Sequence, residues 1–157
     1  GASIAVGTAL VWSSSNARPL VPATTFSYLD GSTVSSADLR GKVVLVNFWS
    51  TSCTTCVHEM PQVAATQRRF QGRGYETVSV AMSYDDPAYV RRFAASRQLP
   101  FRVVHDRSGE LAHRFGDVQL TPTSVLVDKH GREVERFAGE PDFQLLSGRI
   151  ARLLAER

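Results

Sequence analysis

The feature that constrains this chain most is the run Val43-Val44-Leu45-Val46-Asn47-Phe48-Trp49, apolar at every position but one and followed at once by Ser50-Thr51-Ser52-Cys53-Thr54-Thr55-Cys56. A stretch so short and so rich in β-branched residues suits a strand covered on both faces better than a helix. Lys42–Trp49 is therefore expected to be a central strand. It delivers the only two cysteines of the chain, in a C-x-x-C spacing, to the start of the next element.

Two thiols three residues apart on the first turn of a helix can close a disulfide across a tight ring. The unpaired N–H groups and the positive end of the helix dipole then lie beneath the Cys53 sulfur and favour thiolate over thiol. Only the thiolate attacks, so Cys53 is the candidate nucleophile and Cys56, one turn in, the candidate resolving thiol. The competing readings are weaker. A static disulfide over so short a loop removes little chain entropy. Structural zinc wants four ligands, yet there is no second cysteine pair and the histidines at 58, 105, 113 and 130 are scattered. Haem attachment needs a histidine where Val57 stands. A peroxiredoxin pattern ending at Cys53 needs proline and threonine in place of Val46 and Ser50.

The other elements follow from local pattern. Phe26–Asp30 and Thr33–Val34 flank an Asp30-Gly31 turn and read as a hairpin, followed by one helical turn closed by Gly41. The helix after Cys53 presents Val57, Met60, Val63, Ala64 and Phe70 to the sheet, with Pro61 inside it. Tyr75–Met82 is a second buried strand, and Asp85-Asp86-Pro87 caps a helix reaching about Arg97. Arg102–Val104 is a short strand and Ser108–Phe115 a short helix. Thr123–Asp128 and Arg132–Phe137 form an antiparallel hairpin about Gly131, and Pro141–Glu156 a last helix with Phe143, Leu146, Ile150 and Leu153 on one face. This strand–helix alternation in 157 residues implies one α/β domain.

The net charge of +3 is a mild bias, and the arginine pairs Arg68-Arg69 and Arg91-Arg92 fall on helices as solvated faces. No basic stripe interleaved with aromatics is present, so no nucleic-acid partner is expected. Residues 1–12 are apolar and uncharged but shorter than the roughly 20 residues of a membrane span. They read as the outer end of a signal anchor or signal peptide. Residues 1–21 are thus expected to be anchor end and tether, and 22–157 the folded domain, working outside the cytoplasmic membrane.

Asn47-Phe48-Trp49-Ser50-Thr51-Ser52-Cys53-Thr54-Thr55-Cys56 resembles the active-site segment of TlpA/ResA-like thioredoxin-fold proteins, whose usual form is N-F-W-A-x-W-C-x-x-C. The chain departs from it at Ser52, where the second tryptophan is missing, and in its Thr-Thr dipeptide. The resemblance implies a thioredoxin-like fold: a central mixed sheet flanked by helices, an N-terminal hairpin, and an inserted strand–helix segment. It also implies a cis Thr121–Pro122 bond opposite the dithiol, with Thr121, Pro122 and Trp49 forming the substrate-binding surface. Glu59 corresponds to a glutamate that tunes the thiols in ResA-like proteins. Read from the helix alone, Glu59 lies about 60° round from Cys56, which leaves both a proton partner and a surface acid open. Asn47 stands where thioredoxin has a buried aspartate, and His58 reads as a surface residue.

The function implied is that of an extracytoplasmic thiol–disulfide oxidoreductase needing no cofactor or metal. It would reduce a protein disulfide in cytochrome c maturation or copper-site assembly and be recharged by a membrane dithiol carrier of the DsbD/CcdA kind. Two alternatives stay open: a disulfide-forming oxidant, and a Cu(I)-binding chaperone using the dithiol as a soft site.

Overall fold

The computed structural model describes residues 14–157. The expected anchor end lies outside the described residues. After a 3-10 turn over Ser15–Ala17 comes a hairpin, β1 (Thr25–Ser27) and β2 (Thr33–Ser35), turned at Gly31, whose φ of 87° suits glycine. A 3-10 turn over Ala37–Leu39 leads into β3 (Val43–Trp49), which hands over to α1 (Thr54–Phe70). Then come β4 (Tyr75–Ala81), α2 (Pro87–Ser96), β5 (Val103–His105), α3 (Glu110–Arg114), β6 (Thr123–Val127), β7 (Glu133–Ala138) and α4 (Phe143–Ala155).

The five-stranded sheet has the order β5-β4-β3-β6-β7, so the apolar run of β3 is its central strand, as its composition requires. β3 pairs parallel with β4 and antiparallel with β6, and β6 pairs antiparallel with β7. The sheet is therefore mixed, and the fold is the thioredoxin-like one expected.

Side chains alternate across β3, and the two faces meet different partners. Val44, Val46 and Phe48 pack with Phe26, Leu39, Leu111 and Phe115 from the hairpin, the 3-10 turn and α3. Val43 and Leu45 pack with Phe70 of α1 and with Leu146, Ile150 and Leu153 of α4, while Trp49 joins Met60, Val63 and Val90. Each such side chain contributes about 1.5–3 kcal/mol by leaving water. Asn47 shares the second face. It is the one polar residue of β3, and it sits beneath the helices rather than toward solvent.

Residues 18–21, ahead of the expected domain boundary at residue 22, are hydrogen-bonded to the folded domain. Arg18 is 2% exposed, Leu20 bridges Arg132, and Val21 N–H donates to Gly131 O at 3.0 Å. Residues 18–21 are fastened to the β6–β7 turn by backbone bonds and by Arg18, which donates to Asp128. Among the described residues no helix is long and apolar enough to cross a membrane.

Candidate active site

The central strand ends at Trp49 and the chain turns through Ser50–Ser52 before entering α1, so the helix start is placed at the edge of the sheet. Cys53 is the N-cap of α1: its backbone is extended (φ −91°, ψ 109°) and its sulfur accepts from Cys56 N–H at 3.2 Å. Cys53 and Cys56 form a disulfide with their Cα atoms 5.2 Å apart. Cys56 is fully buried and Cys53 half-buried, so a partner reaches only the Cys53 sulfur. In the disulfide form the Cys56 N–H and the N-terminus of a 17-residue helix are aimed at that sulfur, an arrangement that favours thiolate over thiol at such a position.

The turn before Cys53 is tied down from a distance. Asp85, in the β4–α2 loop, accepts from Thr51 N–H and from Thr51 Oγ1, both at 2.6 Å. Ser50 Oγ adds an accepting contact with Ser52 N–H at 3.2 Å. The sequence offered Asp85 and Asp86 together as caps. The structure divides them: Asp86 caps α2 by accepting from Ala88 N–H, and Asp85 serves the cysteine turn. No local pattern separates two adjacent aspartates with destinations this different.

Opposite the dithiol, the Thr121–Pro122 bond is cis, and Thr121 O lies 3.5 Å from Cys53 Sγ. The sulfur of a disulfide carries no hydrogen, so this approach is a contact here and becomes a hydrogen bond only for the reduced thiol. Leu120 and Tyr84 stand exposed, at 61% and 62%.

Trp49 is corrected. It was expected on the substrate-binding surface, but it is fully buried, with its indole N–H donating to Ser79 Oγ at 2.7 Å and its ring 5.2 Å from that of Phe93. It offers no surface to a substrate and instead fills the space under α2.

Glu59 is 1% exposed, which removes the surface-acid reading. Its Oε1 accepts from Asn47 Nδ2 at 3.2 Å, and Oε2 has no protein partner among the described residues. Burial pushes its carboxyl up to about 7; the Asn47 hydrogen bond works against that shift, and Glu140 adds to it. The carboxyl is therefore poised to gain or lose a proton near neutral pH, three residues along the helix from Cys56. His58 is exposed, as expected, with Nε2 4.0 Å from Glu140 Oε1. Among the described residues no group of three or more His, Cys, Asp or Glu side chains could hold a metal ion.

The Redoxin family model matches residues 16–145, most of the chain. The chain belongs to the Redoxin family, in its TlpA/ResA-like group. It is 34% identical over 112 residues to the thiol-disulfide oxidoreductase ResA of Bacillus thuringiensis subsp. konkukian, an alignment covering 71% of this chain and 64% of that relative's length. The ResA of Bacillus anthracis is 33% identical over 125 residues, covering 80% and 71%. Among solved structures, a Neisseria meningitidis protein assigned to the thioredoxins superposes with a TM-score of 0.80 at 39% identity, covering 85% of this chain and 88% of that one. The chain carries its dithiol where the central strand meets the first long helix.

Proposed function

We propose that this redoxin is an extracytoplasmic thiol–disulfide oxidoreductase that reduces a protein disulfide. The observation that carries the reading is the Cys53–Cys56 disulfide at the N-terminus of α1, with one sulfur accessible and the Thr121 carbonyl 3.5 Å from it. In the reduced protein the Cys53 thiolate attacks one sulfur of the substrate disulfide. A mixed disulfide forms and the first substrate thiolate leaves. The chain around the attacked cysteine lies against Leu120 and the backbone of Thr121-Pro122.

Cys56 then gives its proton to the Glu59 carboxylate and attacks the Cys53 sulfur, expelling the second substrate thiolate. Two electrons have passed to the substrate, and the domain is left with the disulfide seen here. A membrane dithiol carrier outside the cytoplasm returns the two electrons. The named ResA relatives support this assignment, and cytochrome c maturation or copper-site assembly is the setting it fits.

The test is a trap. Cys56→Ser permits attack but not resolution, so a mixed disulfide with the physiological substrate accumulates and is released by dithiothreitol, whereas Cys53→Ser traps little. Equal trapping by both variants overturns the nucleophile assignment. The equilibrium potential against glutathione decides direction: a value more positive than about −150 mV makes the protein an oxidant.

A further inference from the structure

Asn47 is the anomaly of β3. Its neighbours on the helix-covered face are Val43, Leu45 and Trp49, and a buried amide among them costs stability unless its N–H groups find acceptors. Both do. Asn47 Nδ2 donates to Glu59 Oε1 at 3.2 Å and to Ser124 Oγ at 3.0 Å, and Ser124 is the direct register partner of Asn47 on β6. Asn47, Glu59 and Ser124 are each at most 1% exposed. One network thus joins β3, β6 and α1, and the Asn47 amide is the one donor to the Glu59 carboxyl among the described residues.

We propose that Asn47, braced by Ser124, is the positioning residue that holds the Glu59 carboxyl in the orientation needed for proton exchange with the dithiol. The inference rests on the proton-exchange reading of Glu59 given above. Its chemistry is specific. The amide nitrogen can only donate, so it occupies Oε1 and leaves Oε2 as the oxygen that receives the proton. An aspartate at 47 would be a second acceptor competing for that proton, and an apolar residue would leave the carboxylate with no donor. The titratable groups near Glu59 are Cys56 and His58 on α1 and Glu140 in the β7–α4 loop; the residues facing it from β3 and β6, Asn47 and Ser124, are neutral.

The experiment uses the full chain, reduced, and reads two quantities against pH: the Glu59 carboxyl resonance in protein labelled with carbon-13 at the glutamate carboxyls, and the alkylation rate of the dithiol. Asn47→Ala should move the Glu59 midpoint upward by about one pH unit, as expected for losing a hydrogen bond to a charged group, and carry the alkylation profile with it. Ser124→Ala, a smaller change that keeps the fold within reach if Asn47→Ala does not, should move both in the same direction by less. Ser124→Thr, which retains the hydroxyl, should restore them. In the Glu59→Gln background, Asn47→Ala should add nothing to the alkylation profile.

An unmoved Glu59 midpoint in Asn47→Ala and Ser124→Ala overturns the inference while leaving Glu59 as the proton partner. A shift of the alkylation profile that survives in the Glu59→Gln background overturns it too, because Asn47 would then act on the thiols by another route. If Glu59→Gln alone leaves the profile unchanged, the proton-exchange reading itself fails and this inference falls with it.

Discussion

Asp128 and Glu59 are both buried carboxylates, held toward opposite ends of the central sheet by different means. Asp128 follows β6 at the end where β3 begins. It accepts from Arg18 Nη1 at 3.0 Å and from the His130 and Arg132 N–H groups at 2.9 and 3.0 Å, while Arg18 also bonds both oxygens of Glu156. Among the described residues Glu59, near the dithiol, meets one neutral amide and no cation. Asp128 is thus held by a cation and by backbone donors. A single neutral donor leaves the protonation state open, and burial then places the change close to neutral pH.

The largest effect should come from breaking the pinned end. Arg18→Met removes the guanidinium and strands Asp128 as an uncompensated buried charge, which should destabilise the domain by about 3–5 kcal/mol in denaturant unfolding. The relative alkylation rates of the native dithiol should not change. A loss below about 1 kcal/mol would mean that Asp128 is not held by charge pairing, and the contrast with Glu59 would disappear.

Glu59 should show its difference in the pH dependence of stability. Its carboxyl titrates at about 7 in the folded protein against an ordinary 4.5. Between those values the folded state holds a proton that the unfolded state has released. Stability from this group is therefore greatest below about pH 4.5 and declines as pH rises to about 7, by roughly 3 kcal/mol in total. Glu59→Gln should abolish that decline and leave the variant more stable than the parent at pH 8. A parent whose unfolding free energy is flat across this range contradicts the raised midpoint.

The sequence made the frame of this site legible because local pattern carries it. The β-branched run Val43–Trp49 announces a central strand, C-x-x-C follows it directly, and the alternation and caps of the remaining segments place the other elements within a few residues. What escaped depends on which distant segments meet. A helical wheel puts Glu59 near Cys56 but says nothing of its depth, which Asn47 on β3 and Ser124 on β6 determine. Trp49 is read as exposed from its motif until α2 is laid over it. Arg18 looks like tether until the 128–132 turn and the end of α4 supply its acceptors, 110 and 138 residues away.

A smaller effect, and a sharper one, is expected at Asp85. This carboxylate lies at the dithiol end yet resembles Asp128 in having several donors, Thr51 N–H and Thr51 Oγ1 at 2.6 Å. Asp85→Ala leaves that N–H without its acceptor and should cost about 1–3 kcal/mol. It should also narrow the difference in alkylation rate between Cys53 and Cys56, because the turn that presents Cys53 is no longer tied to the β4–α2 loop. A variant that loses stability but keeps the full difference would place Asp85 with Asp128, as a carboxylate that only holds the fold.

The smallest effect tests whether burial is the variable that matters. Lys42 Nζ lies 3.1 Å from Glu76 Oε2, a distance close to that of Arg18 from Asp128, but its side chain is 49% exposed against 2% for Arg18. Water already solvates both members of the outer pair, and holding a long lysine side chain in one rotamer offsets much of the Coulomb gain. A double-mutant cycle of Lys42→Ala and Glu76→Ala should therefore return a coupling below about 1 kcal/mol that fades in high salt. The corresponding cycle of Arg18→Met and Asp128→Asn should return several times as much and depend little on salt, since no counterion reaches a buried pair. Equal couplings at the two sites would show that separation alone decides an ion pair here, and the distinction drawn between Asp128 and Glu59 would then have to rest on the cation and not on the loss of water around it.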